Sequence, residues 1–224
     1  MTEELISYLS KVITPERFSL FNKIIKDRTR YMTVVLEDIF QPHNASAVLR
    51  SCDCFGVQDV HIIENENEYK VNPDVALGSS KWLNLYKYNE AENNTLSTIN
   101  ALKKKGYRII ATTPHNDDVN LEDFDISKGK FALMFGSEQP GLSNIAMENA
   151  DEFLKIPMFG FTESFNISVS AAVILHHLSL KLRQSDIKFK LSEDEQNTII
   201  LEWLKQSIKK SDLIIEKFLT KKIK

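Results

Sequence analysis

The spacing of apolar positions changes character along the chain. Residues 2–13 and 15–28 carry hydrophobic side chains at helical intervals, and "TPE" offers Thr14 as an N-cap with Pro15 at the first helical position. From residue 32 the pattern becomes short, nearly continuous apolar runs: "MTVVLE" (32–37), "DVHIIE" (59–64), "YRIIATT" (107–113), "FALMF" (131–135) and "FLKIP" (153–157). Runs of this length, rich in β-branched residues, predict strands. Between them lie a helix in "QPHNASAVLRSCDCFG" closed by Gly56, an amphipathic helix in "NTLSTINALKKK" (94–105) ended by Gly106, and a short helix near 143–150.

Strand and helix in alternation predict an α/β fold, a mostly parallel sheet with helices on both faces. From Asn166 the stretch "NISVSAAVILHHLSLKLR" predicts a long helix packed along that sheet, with Lys181 and Arg183 in its last turn, where the helix dipole favours cations. Further on, "LSEDEQNTIILEWLKQSIKK" spaces Ser192 and Glu195 as a capping box and sets Ile199, Ile200, Trp203 and Leu204 on one stripe. The organisation expected is a helical extension over 1–30, an α/β domain over 31–184 and a second helical extension over 185–224. Ligands of parallel sheets bind outside the carboxyl ends of the strands. Three loops leave strands there, after Thr112, Phe135 and Ile156.

Composition narrows the class. With 42% hydrophobic and 26% charged residues, the 224-residue chain reads as a globular protein, and no apolar run approaches the ~18 residues of a membrane span. The start, "MTEELISYLSKVI", has acidic residues where a signal peptide is basic, so a cytoplasmic location is expected. Cys52 and Cys54, one residue apart, suit neither a mutual disulfide nor a zinc site, and no metal is expected. Formal net charge is −3, but unevenly spread: residues 1–30 carry six basic against four acidic side chains, residues 181–224 eleven against seven, and residues 31–180 are net −9. Basic ends can bracket a polyanion, although solvated helix faces explain them equally well.

Three stretches carry candidate chemistry. "LMFGSEQPGLS" (133–143) lacks the Lys-Ser/Thr of a P-loop and the glycine spacing of a dinucleotide fingerprint; Gly136 and Gly141 instead permit a sharp turn and close backbone approach to a ligand. In "PHNASAVLRS", Asn44 sits at a helix start and Arg50 follows about one and a half turns on, readable as an N-cap and a surface ion-pair partner or as site residues. In "IPMFGFTESFNISVSAAVIL", Ser164, Asn166 and Ser168 cluster at a helix start, more polar groups than capping alone requires.

Taken together, in this order and spacing, the three stretches resemble the motifs of the SpoU family of RNA ribose 2′-O-methyltransferases, over roughly residues 31–180. Within that family the similarity is greatest to members that methylate a guanosine ribose in the tRNA D-loop: "VVLEDIFQPHNASAVLRSCDCFGVQDVH", "GSSKWLNL" and short helical extensions at both ends are shared. Relatives that act on ribosomal RNA usually carry a separate N-terminal RNA-binding domain, for which the first 30 residues leave no room.

The resemblance implies a SPOUT methyltransferase domain whose C-terminal part threads a loop as a trefoil knot, an exception to unknotted topology. It implies S-adenosylmethionine as cofactor, held by the loops at Thr112, at Met134, Gly136 and Gly141, and at Ile156 and Phe165. It implies a homodimer whose sites borrow groups from the partner, and transfer of methyl to the ribose 2′-hydroxyl of a tRNA guanosine, at tRNA position 18. Arg50 is then essential, as a base or, since guanidinium is effectively always protonated, as a clamp on the neighbouring phosphate. Asn44 orients Arg50 or the ribose, Glu138 holds the loop and Asn44, and Ser164 and Asn166 line the junction of ribose and methionine. Arg28, Arg30, His43, Lys181 and Arg183 are expected to contact tRNA. Relatives place an arginine cluster after the third motif; this chain has "HHLSLKLRQ". Ribosomal RNA as substrate, a non-catalytic RNA-binding scaffold, and a nucleotide-binding oxidoreductase are the competing readings, the last lacking its fingerprint.

Overall fold

A computed structural model of the chain describes residues 2–70, 72–76, 78–114 and 119–223. In chain order the elements are Thr2–Leu9 (α1), Pro15–Ile24 (α2), Met32–Glu37 (β1), Pro42–Phe55 (α3), Asp59–Ile63 (β2), Pro73–Ala76 (α4), Asn84–Tyr88 (β3) and Thr95–Lys104 (α5). Then follow Arg108–Thr112 (β4), Val119–Asn120 (β5), Phe131–Phe135 (β6), Asn144–Asn149 (α6), Glu152–Lys155 (β7), Ile167–Arg183 (α7), Glu193–Ser207 (α8) and Ser211–Ile223 (α9). They form two units, Thr29–Phe189 and Met1–Arg28 with Lys190–Lys224. Among the described residues no helix is long and apolar enough to cross a membrane.

The larger unit is the expected α/β fold. Its sheet runs β3-β2-β1-β6-β4-β7-β5 with every pairing parallel. Alternate side chains point to opposite faces, and each face has its own cover. Met32, Val34 and Leu36 of β1, with Leu133 and Phe135 of β6, pack on Val48, Leu49 and Cys52 of α3 and on Ala171, Ile174, Leu175 and Leu178 of α7. Val35, Ala132 and Met134 face Ile99 and Leu102 of α5 and Ala146 of α6. Burial on both faces is why β1 and β6 read as continuous apolar runs.

Helix ends follow the sequence signals in most places. Gly56 closes α3 in the left-handed region at φ 79°, where a side chain would be strained. Asn166 caps α7 by accepting from the Ser168 amide. One start differs: α3 begins at Pro42 with Gln41 as its cap residue, so Asn44 lies inside the first turn and its side chain is free for other partners. β3 was not expected from the sequence. It is an edge strand, paired on one side only and half-exposed, and "NLYKY" carries too little apolar pattern to announce it.

The smaller unit is helical and joins the two ends of the chain. The Ser192–Glu195 capping box opens α8, and Ile199, Ile200, Trp203 and Leu204 are buried along it. Phe21 of α2 meets the Trp203 ring edge-on at 5.5 Å between centroids, and Tyr8 of α1 lies 5.0 Å from Phe218 of α9.

Candidate functional site

A cavity of about 760 Å³ opens at the carboxyl edge of the sheet where β4, β6 and β7 end. The three loops picked out from the sequence wall it: Thr112 to Pro114, Phe135 to Leu142, and Ile156 with Met158 and the segment 163–167. The first of these loops is described only to Pro114 and again from Val119.

The middle wall is a loop folded back on itself. A Cβ added at Gly136 would fall onto the backbone of Gly141 and Leu142, so only glycine permits this closure. Gly141 turns the chain at φ 92°, and the Gln139–Pro140 peptide is cis. The wall is tied to the next strand by Thr112, whose hydroxyl donates to the Met134 carbonyl at 2.7 Å.

At the mouth, side chains from all three candidate stretches meet. Asn44 Nδ2 of α3 donates to Glu138 Oε1 at 3.0 Å and to Gln41 Oε1 at 3.1 Å. Asn166 Nδ2 donates to the same Glu138 oxygen and, at 3.1 Å, to Asn44 Oδ1. The amide orientations are forced: Asn166 Oδ1 is occupied as the α7 cap, so its nitrogen must face Glu138, and Asn44 Oδ1, as acceptor, turns its nitrogen there too. Glu138 accepts both amides and, being acceptor-only, holds residues 94 and 28 positions away in one constellation.

Chemically the cavity suits one kind of ligand. Phe135, Leu142, Leu154, Ile156, Met158 and Ile174 supply apolar surface, Thr112, Ser164 and Asn166 polar atoms, and the only charged residues among its described lining are the acids Glu138 and Glu163. That lining favours a molecule with apolar parts and a positive charge, and disfavours a phosphate. Among the described residues, no group of three His, Cys, Asp or Glu is placed to hold a metal ion.

The placement of individual expected residues is mixed. Thr112, Gly136, Gly141, Ile156 and Phe165 line the cavity, as do Glu138, Ser164 and Asn166, with Asn44 hydrogen-bonded at its rim. Met134 does not: it is fully buried in β6 and packs toward α5, and only its carbonyl reaches the region, through Thr112. Arg50 lies six residues after Asn44, about two-thirds of a turn out of phase on α3. It is exposed, outside the cavity lining, and makes no hydrogen bond or ion pair among the described residues.

The expected RNA contacts divide in the same way. Arg28 is 2% exposed, with its guanidinium 5.5 Å over the Trp203 ring. Arg30 pairs with Asp59 at 3.0 Å, and Lys181 donates to the carbonyls of Glu122 and Phe124 at 3.0 and 2.8 Å. His43 and Arg183 are exposed, the latter stacked 5.6 Å from the Phe189 ring. Glu37 and Ser143, which anchor the middle wall, are not singled out by the sequence, where the one signal is a glutamate at the end of the apolar run "MTVVLE".

The parallel α/β sheet with a cavity walled by these three motifs is that of an RNA methylase family: the chain belongs to the SpoU rRNA methylase family, whose model matches residues 31–176. More particularly, it is similar to the tRNA (guanosine(18)-2′-O)-methyltransferase of Borreliella burgdorferi, at 44% identity over 93% of this chain and 94% of that one. The enzyme of the same name from Thermus thermophilus is 30% identical over 86% of this chain and 98% of its own. The crystal structure of the A. aeolicus TrmH/SpoU tRNA modifying enzyme superposes with a TM-score of 0.77, at 27% identity, covering 87% of this chain and 98% of that one.

Proposed function

We propose that the protein is an S-adenosylmethionine-dependent methyltransferase that modifies the ribose 2′-hydroxyl of a tRNA guanosine, the D-loop guanosine at position 18. The observation that carries the reading is the Asn44–Glu138–Asn166 constellation at the mouth of a cavity whose charged lining is acidic. The curated relatives bearing that guanosine-18 name, alike over nearly their whole length, supply the substrate. A cytoplasmic location, and a trefoil knot in the C-terminal part of the 31–184 domain, belong to the same reading.

The residues present fit the cofactor. Backbone groups of the closed Gly136–Leu142 loop and the Thr112 segment would hold its polar atoms, the apolar side chains its adenine and methylene parts, and Glu138 and Glu163 suit its cationic sulfonium and ammonium. S-Adenosylmethionine supplies an electrophilic methyl on a positively charged sulfur. The protein's share is to place the ribose hydroxyl in line with that methyl and to give its proton somewhere to go. Ser164 and Asn166 stand at the rim where a ribose would enter, and Glu138 fixes Asn166 and Asn44 there.

Arg50 needs a second copy of the chain. It is exposed and outside the described lining of its own chain's cavity, so its contribution, whether as proton acceptor or as phosphate clamp, is made across a homodimer. Support comes from an unpaired apolar surface beside the site: Phe159 and Phe161 are fully exposed, and Val169, Val173 and Leu180 of α7 are exposed on one side of that helix. Such a surface is what a dimer would cover.

The test is transfer of labelled methyl from S-adenosylmethionine to total tRNA and to ribosomal RNA, followed by mapping of the modified ribose. Label at the D-loop guanosine is expected. Label confined to ribosomal RNA would overturn the substrate assignment, and no label with intact donor binding would favour a non-catalytic RNA-binding scaffold.

A further inference from the structure

β1 ends at Glu37 and is followed by Asp38, and the first of these adjacent carboxylates has no counter-ion among the described residues. Glu37 is 2% exposed, and among the described residues no lysine, arginine or histidine forms an ion pair with it. A buried carboxylate persists only if its lone pairs are saturated by hydrogen bonds. Three donors do this: the Thr95 hydroxyl at 2.6 Å, the Ser143 amide at 2.8 Å and the Ser143 hydroxyl at 2.7 Å. Thr95 is the first residue of α5, where the helix dipole also favours an anion. Asp38 beside it gathers the amides of Asn65, Glu66 and Asn67, and Asn65 in turn donates to Thr95 at 3.0 Å, so the hydrogen bonds form one connected set.

The position of Ser143 gives this set its consequence. The cavity's middle wall leaves β6 at Phe135, which pairs in register with Leu36 of β1, and ends at Ser143, which is bound to Glu37. Both ends of the loop are therefore pinned to consecutive residues of one strand. Between the pins, Gly136 closes against Gly141 and Leu142, leaving little freedom in how the loop presents its backbone and Glu138 to the cavity. Ser143 also caps α6, accepting from the Ala146 amide at 3.1 Å, so its hydroxyl is used in both directions.

We infer that Glu37 is a positioning residue for the donor pocket: through Ser143 and Thr95 it sets the shape of the Gly136–Leu142 wall, and with it the affinity for S-adenosylmethionine, without touching the cofactor. The inference rests on the methyltransferase reading. Gln at position 37 is nearly isosteric but turns an amide N–H toward at least one donor that needs an acceptor.

Calorimetric binding of S-adenosylmethionine, beside the KM for tRNA, tests it. Glu37→Gln is expected to weaken donor binding about tenfold or more, the effect of leaving a buried donor unpaired at a binding wall, with KM for tRNA within about twofold of wild type. Ser143→Ala weakens it about threefold, and Ser143→Thr, which keeps the hydroxyl, restores it. Val60→Ala, a core change on β2, serves as a variant of matched melting temperature and is expected to bind donor normally. If Glu37→Gln does not fold, the Ser143 pair decides alone. Variants at 37 and 143 that bind donor like wild type, or a Val60→Ala that loses as much, overturn the inference. A wild type that shows no donor binding overturns the methyltransferase reading instead.

Discussion

Two corners of the same sheet edge use the same groups to opposite ends. Glu64, just past β2, is 7% exposed and saturated: it accepts from the Tyr69 amide at 2.8 Å, from Lys87 Nζ at 3.0 Å and from Asn89 Nδ2 at 2.7 Å. Glu138, past β6, is exposed and accepts two asparagine amides at one oxygen, while its other oxygen accepts none among the described residues. The first carboxylate is spent on holding loop, strand and turn together. The second keeps capacity in hand and faces a cavity, which is what separates a binding group from a structural one when residue types are alike.

Removing each carboxylate should therefore produce opposite phenotypes. Glu138→Ala frees Asn44 and Asn166 at the cavity mouth, and misplacement there costs about 10²-fold in methyl transfer, with a melting temperature close to wild type. Glu64→Ala strands the buried Tyr69 amide and frees the exposed Asn89 and Lys87, an expected loss of about 1–3 kcal/mol in urea unfolding. The surviving folded protein should transfer methyl at near-normal rates. Equal activity losses in the two variants would remove the distinction.

How far the sequence shows this distinction depends on how local each feature is. The strands of the central sheet are legible because burial on both faces writes them as apolar runs, and the α7 cap and α8 capping box because they lie within three residues of their partners. β3 is not legible, since an edge strand half in solvent needs no apolar pattern. Asn44 reads from the sequence either as a cap or as a site residue; Pro42 moves the helix start upstream and releases the side chain from capping. The Glu37–Ser143 bond spans 106 residues, and no spacing rule reaches that far. Likewise the α8 stripe shows an apolar face but not that Phe21, from the other end of the chain, packs on it.

The saturated corner has a pH dependence of its own. His61 of β2 is 2% exposed, stacked on Tyr86 at 4.9 Å with its Nδ1 2.9 Å from the Tyr88 hydroxyl. Burial, reinforced by the nearby Lys105 ammonium, lowers its pKa to about 4. An unfolded histidine titrates near 6.5, so between about pH 6.5 and 4 the unfolded chain binds more protons and acid draws the protein toward it. Stability from this residue is complete above pH 6.5 and lost as the pH falls toward 4. Unfolding at pH 7.5 and 4.5 should show a loss about 2 kcal/mol smaller in His61→Gln than in wild type. An equal loss in both would place the acid sensitivity elsewhere.

The arginines differ in burial, and there the expected effects are smallest. Arg28 is closed in over Trp203, whereas Arg183 lies exposed along Phe189 and donates at 3.4 Å to the Phe55 carbonyl. Arg28→Gln should lower stability by about 1–2 kcal/mol through the lost desolvated cation–π contact, and leave tRNA affinity unchanged. Arg183→Gln should weaken tRNA binding by about two- to threefold and reduce the salt dependence by less than one phosphate's share, with a smaller stability change than Arg28→Gln. Titrations of both variants at two salt concentrations decide between them. If Arg28→Gln is the one that flattens the salt dependence, its guanidinium reaches RNA after all, and exposure in the folded chain is the wrong guide to which basic residues meet the substrate.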